Sequence, residues 1–110
     1  MKISEKGSTR IITDPQANTA ALVAKLTHEY KSFENWNLIV DVSSDKSLKG
    51  RELSQFAPLA KLHKKNKKSF VVVASDIDFG AVPASVTAVP TIGEAHDLIE
   101  MDEIERDLGF

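Results

Sequence analysis

The sequence contains no cysteine and few glycine, proline or aromatic residues: five Gly, four Pro, five Phe, one Tyr and one Trp among 110 residues. The lack of cysteine excludes disulfides, thiolate metal ligands and cysteine nucleophiles. The longest apolar runs, such as 70–74, are far shorter than the roughly 20 residues of a membrane-spanning helix. Residues 1–7 lack the apolar segment of a secretion signal. We therefore expect a cytoplasmic protein that does not associate with membranes.

Charge is distributed unevenly along the chain, although the net charge is only −2. Residues 1–68 carry 13 Lys and Arg against 7 Asp and Glu, whereas residues 69–110 carry 1 against 9. A basic face and an acidic face on one small domain can orient a charged partner or a second copy of the chain, which makes a homodimer one alternative. The simpler interpretation is that both faces are solvated helix surfaces.

Four apolar segments predict strands. The continuous runs 38–42 and 70–74 are typical of strands buried on both faces, and shorter strands are expected at 9–13 and 85–89. Helical patterns separate these segments, and this alternation is typical of a mostly parallel sheet with helices packed on it. No linker or repeat divides the chain, so we expect a single α/β domain over 1–110.

The helices have recognisable start and stop signals. Asp14–Pro15 predicts the start of the first helix, with Asp as the cap and Pro in the first turn. Pro58 lies inside the second helical pattern and must kink or split it. Thr91 and Glu94 have the spacing of a capping box at the start of the last helix. Asp102 and Glu105 repeat this spacing, so a break or a second short helix is expected near Met101.

The sequence lacks the patterns of known catalytic and metal sites. His28, His63 and His96 lie on three different predicted helices and in no metal-binding motif, so we expect each at the surface or its boundary. No phosphate-binding glycine loop or nucleophile elbow is present. We therefore predict no catalytic residues, no metal ligands, no cofactor and no enzymatic activity.

The run Lys61–Lys68 is the strongest indication of nucleic-acid binding. Several cations on one surface can bind phosphates. However, no aromatic side chains are interleaved with the run to stack on bases, and the net charge of the chain is negative. A basic run at a helix end more simply complements the helix dipole, so nucleic-acid binding stays an alternative.

The segment most similar to a functional site runs from the strand 38–42 through a polar loop to the helix around Leu53. Ligands of parallel sheets bind at such carboxyl ends of strands, and a helix N-terminus attracts anions. The candidate partner-binding residues are Ser43, Ser44, Asp45, Lys46, Ser47, Lys49, Gly50 and Arg51.

This segment and the order of elements resemble the STAS family, the sulfate-transporter and anti-sigma-factor-antagonist domains. The resemblance rests on the strand ending at Asp41, the loop that follows, the helix beginning near Leu53, the strand 70–74 and the helix start at Thr91. It implies a small STAS-like fold and a regulatory role in binding partner proteins. Many members are switched by phosphorylation of a serine at the start of the corresponding helix.

The chain departs from the family at that switch. Lys49 stands in place of the acidic residue of the phosphorylation motif, and Gly50 or Arg51 stands in place of the serine. The resemblance therefore implies a non-catalytic interaction module without the usual phosphorylatable serine. Ser47 lies nearby and is an alternative phosphorylation site, although a serine there more simply caps the helix.

Residues 90–110 also resemble short bacterial STAS-like chains, some of which carry the name ribonuclease Z. That zinc nuclease uses a His-x-His-x-Asp-His motif, which this sequence does not contain. The alternative that follows is an accessory protein of a tRNA-processing nuclease, without catalytic residues of its own.

The last apolar residues, Ile104, Leu108 and Phe110, form a stripe beyond the expected end of the core helix. Such a stripe on a small domain has to be covered. We expect it to pack on the core of its own chain, with docking on a partner as the alternative.

Overall fold

The fold centres on a sheet of five strands that lie side by side in chain order. The computed structural model describes residues 1–109. The strands are β1 (Lys2–Lys6), β2 (Thr9–Thr13), β3 (Asn37–Asp41), β4 (Phe70–Val73) and β5 (Thr87–Val89). β1 pairs with β2 in antiparallel fashion, and the other neighbours are parallel. The predicted mostly parallel sheet is confirmed.

Helices cover both faces of the sheet. They are α1 (Thr19–His28), α2 (Ala57–Lys65) and α3 (Ile92–Asp107), with shorter 3₁₀ helices at Tyr30–Ser32, Gly50–Phe56 and Phe79–Ala81. Successive parallel strands advance in one direction, so right-handed crossovers place α1 and α2 on the same face. α3 follows the last strand and covers the opposite face. In the described residues, 1–109, no helix is both long and apolar enough to span a membrane.

The two faces bury separate apolar clusters. Leu38 and Val40 of β3 pack with α1 and α2 in the larger cluster. Ile39 points to the other face and packs with Ala95 and Ile99 of α3. This alternation explains the continuous apolar run, because each side of β3 contacts a helix layer.

The first helix begins later than the sequence predicts. Asp14 does not cap it: its carboxylate accepts hydrogen bonds from the backbone N–H groups of Gln16 and Asn18, at 3.0 and 2.7 Å. Ala17 then has a φ of 52°, which interrupts any helix at that point. α1 begins only at Thr19, capped by the side chain of Asn18. The prediction of a start at Asp14–Pro15 is therefore wrong, because local side-chain hydrogen bonds form a turn instead.

The two other helix predictions have opposite outcomes. Pro58 lies in the first turn of α2, directly after the 3₁₀ helix Gly50–Phe56, so the predicted split is confirmed. α3 runs without interruption from Ile92 to Asp107, so the break predicted near Met101 is wrong. Asp102 does not cap a new helix, because its carboxylate accepts a hydrogen bond from the Ser69 hydroxyl at 2.8 Å.

Candidate interaction surface

The loop after β3, residues 43–51, lies where the carboxyl ends of the parallel strands meet. The backbone N–H of Val42 still bonds the carbonyl of Val73, so β3 and β4 end side by side. Asp41 then accepts two hydrogen bonds from Ser43, from its N–H at 2.9 Å and its hydroxyl at 2.6 Å. The hydroxyl of Ser44 donates to the carbonyl of Asp14 at 2.7 Å, which ties the loop to the end of β2.

Asp45 joins this loop to the first turn of α1. Its carboxylate accepts a bond from the Thr19 hydroxyl at 2.8 Å and one from the Ser47 hydroxyl at 2.8 Å. The backbone N–H groups of the same two residues also point to it, at 3.4 and 3.3 Å. These bonds, that from Ser47 above all, hold the pKa of Asp45 below its usual value. Asp45 is thus engaged inside the chain and fixes the shape of the loop.

Removing one of these donors is expected to raise the pKa of Asp45. Carbon-detected NMR titration of the side-chain carboxyl should show a pKa below the ordinary Asp value in the wild type and a higher one in Ser47→Ala. Ser43→Ala is the matched control, because its hydroxyl donates to Asp41 instead. An equal effect of both substitutions on Asp45 would contradict this hydrogen-bond arrangement.

Gly50 lies inside the fold and not on the surface of the loop. The glycine is buried, and a β-carbon built on it would overlap the backbone carbonyl oxygen of Asp78. Only glycine allows the 3₁₀ helices Gly50–Phe56 and Phe79–Ala81 to approach this closely. Of the candidate residues, Gly50 therefore contributes to packing and cannot contact a partner directly.

Three cations project from the loop. Lys46, Lys49 and Arg51 are exposed, and none of them forms an ion pair with a carboxylate of residues 1–109. The backbone N–H of Lys49 donates to the Glu52 carboxylate at 2.8 Å, which turns the chain into the helical segment. That segment begins as a seven-residue 3₁₀ helix, so the α-helix N-terminus expected to attract an anion here is not formed. The positive charge of this surface therefore comes from its side chains and not from a helix N-terminus.

The histidines occupy three different environments. His28 is exposed and His96 is half-buried, as expected. His63 is 0 % exposed, so the prediction of a surface or boundary position is wrong for this residue. Its ring lies between the Tyr30 hydroxyl, 2.6 Å from Nδ1, and the Trp36 carbonyl, 2.6 Å from Nε2. Both ring nitrogens thus have partners, which sequence spacing alone could not reveal.

A polar network holds the C-terminal half of α3 to the amino ends of β3 and β4. The guanidinium of Arg106 donates to the Ser69 hydroxyl at 3.3 Å and to the Asn37 side-chain oxygen at 3.4 Å. Asn37 in turn donates to Glu103 at 3.2 Å. Nothing in the sequence pattern singled out these residues, because they are far apart in the chain and meet only in the fold.

The lysine run and the C-terminal stripe lie on neighbouring surfaces. Lys61, Lys64, Lys67 and Lys68 surround the C-terminal end of α2 and line an open groove, the α2–α3 groove, which passes the amino end of β4 from α2 on one face of the sheet to α3 on the other. Ile104 and Leu108 are 58 % and 66 % exposed, so the expectation that they pack on their own core is wrong. α3 meets the sheet through Ala95 and Ile99, which leaves its outer side uncovered. Phe110 lies outside the described residues.

A scan against models of protein families finds no match, and a search of curated proteins finds no significant match. The chemistry of the surface itself is therefore the basis for its function.

Proposed function

We propose that the chain is a non-catalytic protein-interaction module of STAS type, and that the 43–51 loop binds an acidic segment of a partner protein. The observation that carries this proposal is the unpaired cationic character of the loop surface. Lys46, Lys49 and Arg51 are exposed on one short loop, without a carboxylate partner among residues 1–109. Such a patch attracts and orients acidic partners.

The rigidity of the loop supports a binding role. Asp41, Asp45 and the carbonyl of Asp14 accept hydrogen bonds from the loop serines, so the backbone between Ser43 and Ser47 is fixed before a partner arrives. A surface that is ordered in advance loses little conformational entropy on binding. The cations next to it have long side chains that can adjust to carboxylates, although Lys46 also donates a hydrogen bond to the Ser75 hydroxyl at 3.4 Å.

The proposed mode of regulation differs from that implied by the resemblance. A phosphoserine at the start of the helix would add about −1.5 to −2 charges and repel an acidic partner. Lys49 and Arg51 give the same position a permanent positive charge. Binding would therefore be constitutive and sensitive to salt.

The proposal is tested by charge reversal with a matched control. Lys46→Glu/Lys49→Glu/Arg51→Glu should lower the affinity for a partner captured with wild-type protein at least ten-fold, because attraction becomes repulsion. Lys2→Glu/Lys25→Glu/Lys31→Glu changes the net charge equally at exposed positions outside the loop. Affinities are measured by biolayer interferometry, after circular dichroism has shown that both variants fold.

The affinities of the loop variant and of the control variant for the partner are compared. A photo-crosslinking residue at Ser47 should also capture the same partner, whereas one at exposed His28 should not. Equal losses of affinity in the loop variant and the control would refute the loop as the interface. They would indicate only a general effect of net charge.

A further inference from the structure

The outer side of α3 carries an uncovered apolar stripe within an acidic surface. Met101, Ile104 and Leu108 are 57 %, 58 % and 66 % exposed and follow one another at helical spacing on one side. Asp97 and Glu100 are exposed beside the stripe. Monomeric proteins rarely expose neighbouring large apolar side chains of this kind without a partner.

The α2–α3 groove has the complementary character. It is an open groove of about 900 Å³ that passes the amino end of β4, from the end of α2 on one face of the sheet to the inner flank of α3 on the other. Half-buried Leu98 contributes apolar surface to it, whereas Ala60 and Val71 lie buried beneath it. Its rim carries the four lysines Lys61, Lys64, Lys67 and Lys68, which form no ion pair with a carboxylate in the described part of the chain.

We propose that a second copy of this chain fills the groove with the outer side of its α3, and that the contact is reciprocal. The acidic residues beside the stripe would meet the lysine rim, and the stripe itself would pack against Leu98 and the aliphatic parts of the lysine side chains. Both complementary surfaces are present on the one chain. Basic residues are concentrated in one part of the sequence and acidic residues in another. In the dimer these two parts would attract each other across the interface.

The geometry favours a closed dimer over an open chain of copies. Leu98 and Asp102 of α3 line the groove, whereas Met101 and Ile104 lie on the adjacent outer side of the same helix. Two surfaces that adjoin on one helix can face their counterparts across a two-fold axis. Each copy then donates its stripe to the other, which is the closed arrangement most oligomers adopt.

Nucleic acid fits the groove less well than a second α3. Phe70, the aromatic residue lining it within residues 1–109, is buried and cannot stack on a base. The acidic helix brings its own apolar side chains, which a phosphate backbone lacks.

A charge-swap experiment tests the dimer by sedimentation equilibrium. Lys61→Glu/Lys64→Glu and Asp97→Lys/Glu100→Lys should each raise the dimer dissociation constant at least ten-fold, because both contacts become like-charged. An equimolar mixture should restore dimerisation to near the wild-type level. In the mixed dimer the wild-type stripe meets the wild-type groove, and the reversed stripe meets the reversed groove.

Controls separate this dimer from the proposed partner binding. Lys46→Glu/Lys49→Glu/Arg51→Glu and Lys25→Glu/Lys31→Glu should dimerise like the wild type, since both lie outside the groove. A wild-type chain that stays monomeric at millimolar concentration overturns the proposal, as does a mixture that fails to associate although both variants fold. Salt-sensitive binding of an oligonucleotide by a monomer, lost in Lys61→Glu/Lys64→Glu, would also overturn it and assign the groove to nucleic acid.

Discussion

His63→Ala is expected to lower the free energy of unfolding by about 3 kcal/mol. The imidazole is fully buried and packs against the rings of Tyr30 and Phe70, with centroids 5.6 and 5.9 Å away. Its loss leaves a cavity, removes one of the two hydrogen-bond partners of the Tyr30 hydroxyl and removes the ring partner of the Trp36 carbonyl. Urea unfolding at pH 7.5 measures the change, with His28→Ala as an exposed control that should stay near the wild type.

The same residue should make stability depend on pH. Burial lowers the pKa of His63, and the positive charges of Lys68 and Arg106 lower it further, while the bond to Trp36 opposes them. Since the folded-state pKa lies below the unfolded value of about 6.5, the unfolded chain binds the proton more readily. The contribution of neutral His63 to the free energy of unfolding is fully present above pH 6.5 and is lost as the pH falls toward the folded-state pKa.

The His63→Ala variant tests whether His63 causes this pH dependence. The difference in unfolding free energy between wild type and His63→Ala should shrink as the pH falls below 6.5, because only the wild type has this proton to gain on unfolding. A difference that stays constant from pH 7.5 to 5 would show that His63 is not held neutral in the folded state.

Gly50→Ala is expected to destabilise the fold by about 3 kcal/mol. A methyl group at this position would overlap the carbonyl oxygen of Asp78 and would lie 3.5 Å from the β-carbon of Ala81. The obstacle is backbone, which cannot rotate away as a flexible side chain would. The two 3₁₀ helices would have to move apart, and the 43–51 loop would shift with them.

Gly93→Ala is the matched control for this substitution. Gly93 lies in the first turn of α3, and the nearest atom to an added β-carbon is the Thr91 hydroxyl oxygen at 3.9 Å. Alanine favours a helix over glycine by up to about 1 kcal/mol, so the control should be neutral or slightly stabilising. Thermal unfolding should separate the two variants clearly, and similar melting temperatures would contradict the close approach at Gly50.

Several features followed from local sequence pattern alone. The continuous apolar runs of β3 and β4 identify strands covered on both faces, because a side chain on either side then avoids water. Pro58 lies in the first turn of α2, directly after the 3₁₀ helix ends at Phe56, because its ring fixes φ and removes a donor, which only the first turn of a helix tolerates. The cap at Thr91 depends on residues three apart in the chain. The STAS resemblance stays a prediction.

Tertiary structure decided the features that depend on distant partners. Asp102 has the spacing of a cap but bonds Ser69, which lies 33 residues earlier in the chain. His63 is buried because Tyr30 and Trp36 bring polar groups to its ring from another part of the chain. The stripe at Ile104 and Leu108 has core-like spacing yet faces outward, because α3 meets the sheet through a different side. Local pattern specifies which residues are apolar or can cap, whereas the packing of the elements determines which of them find a partner.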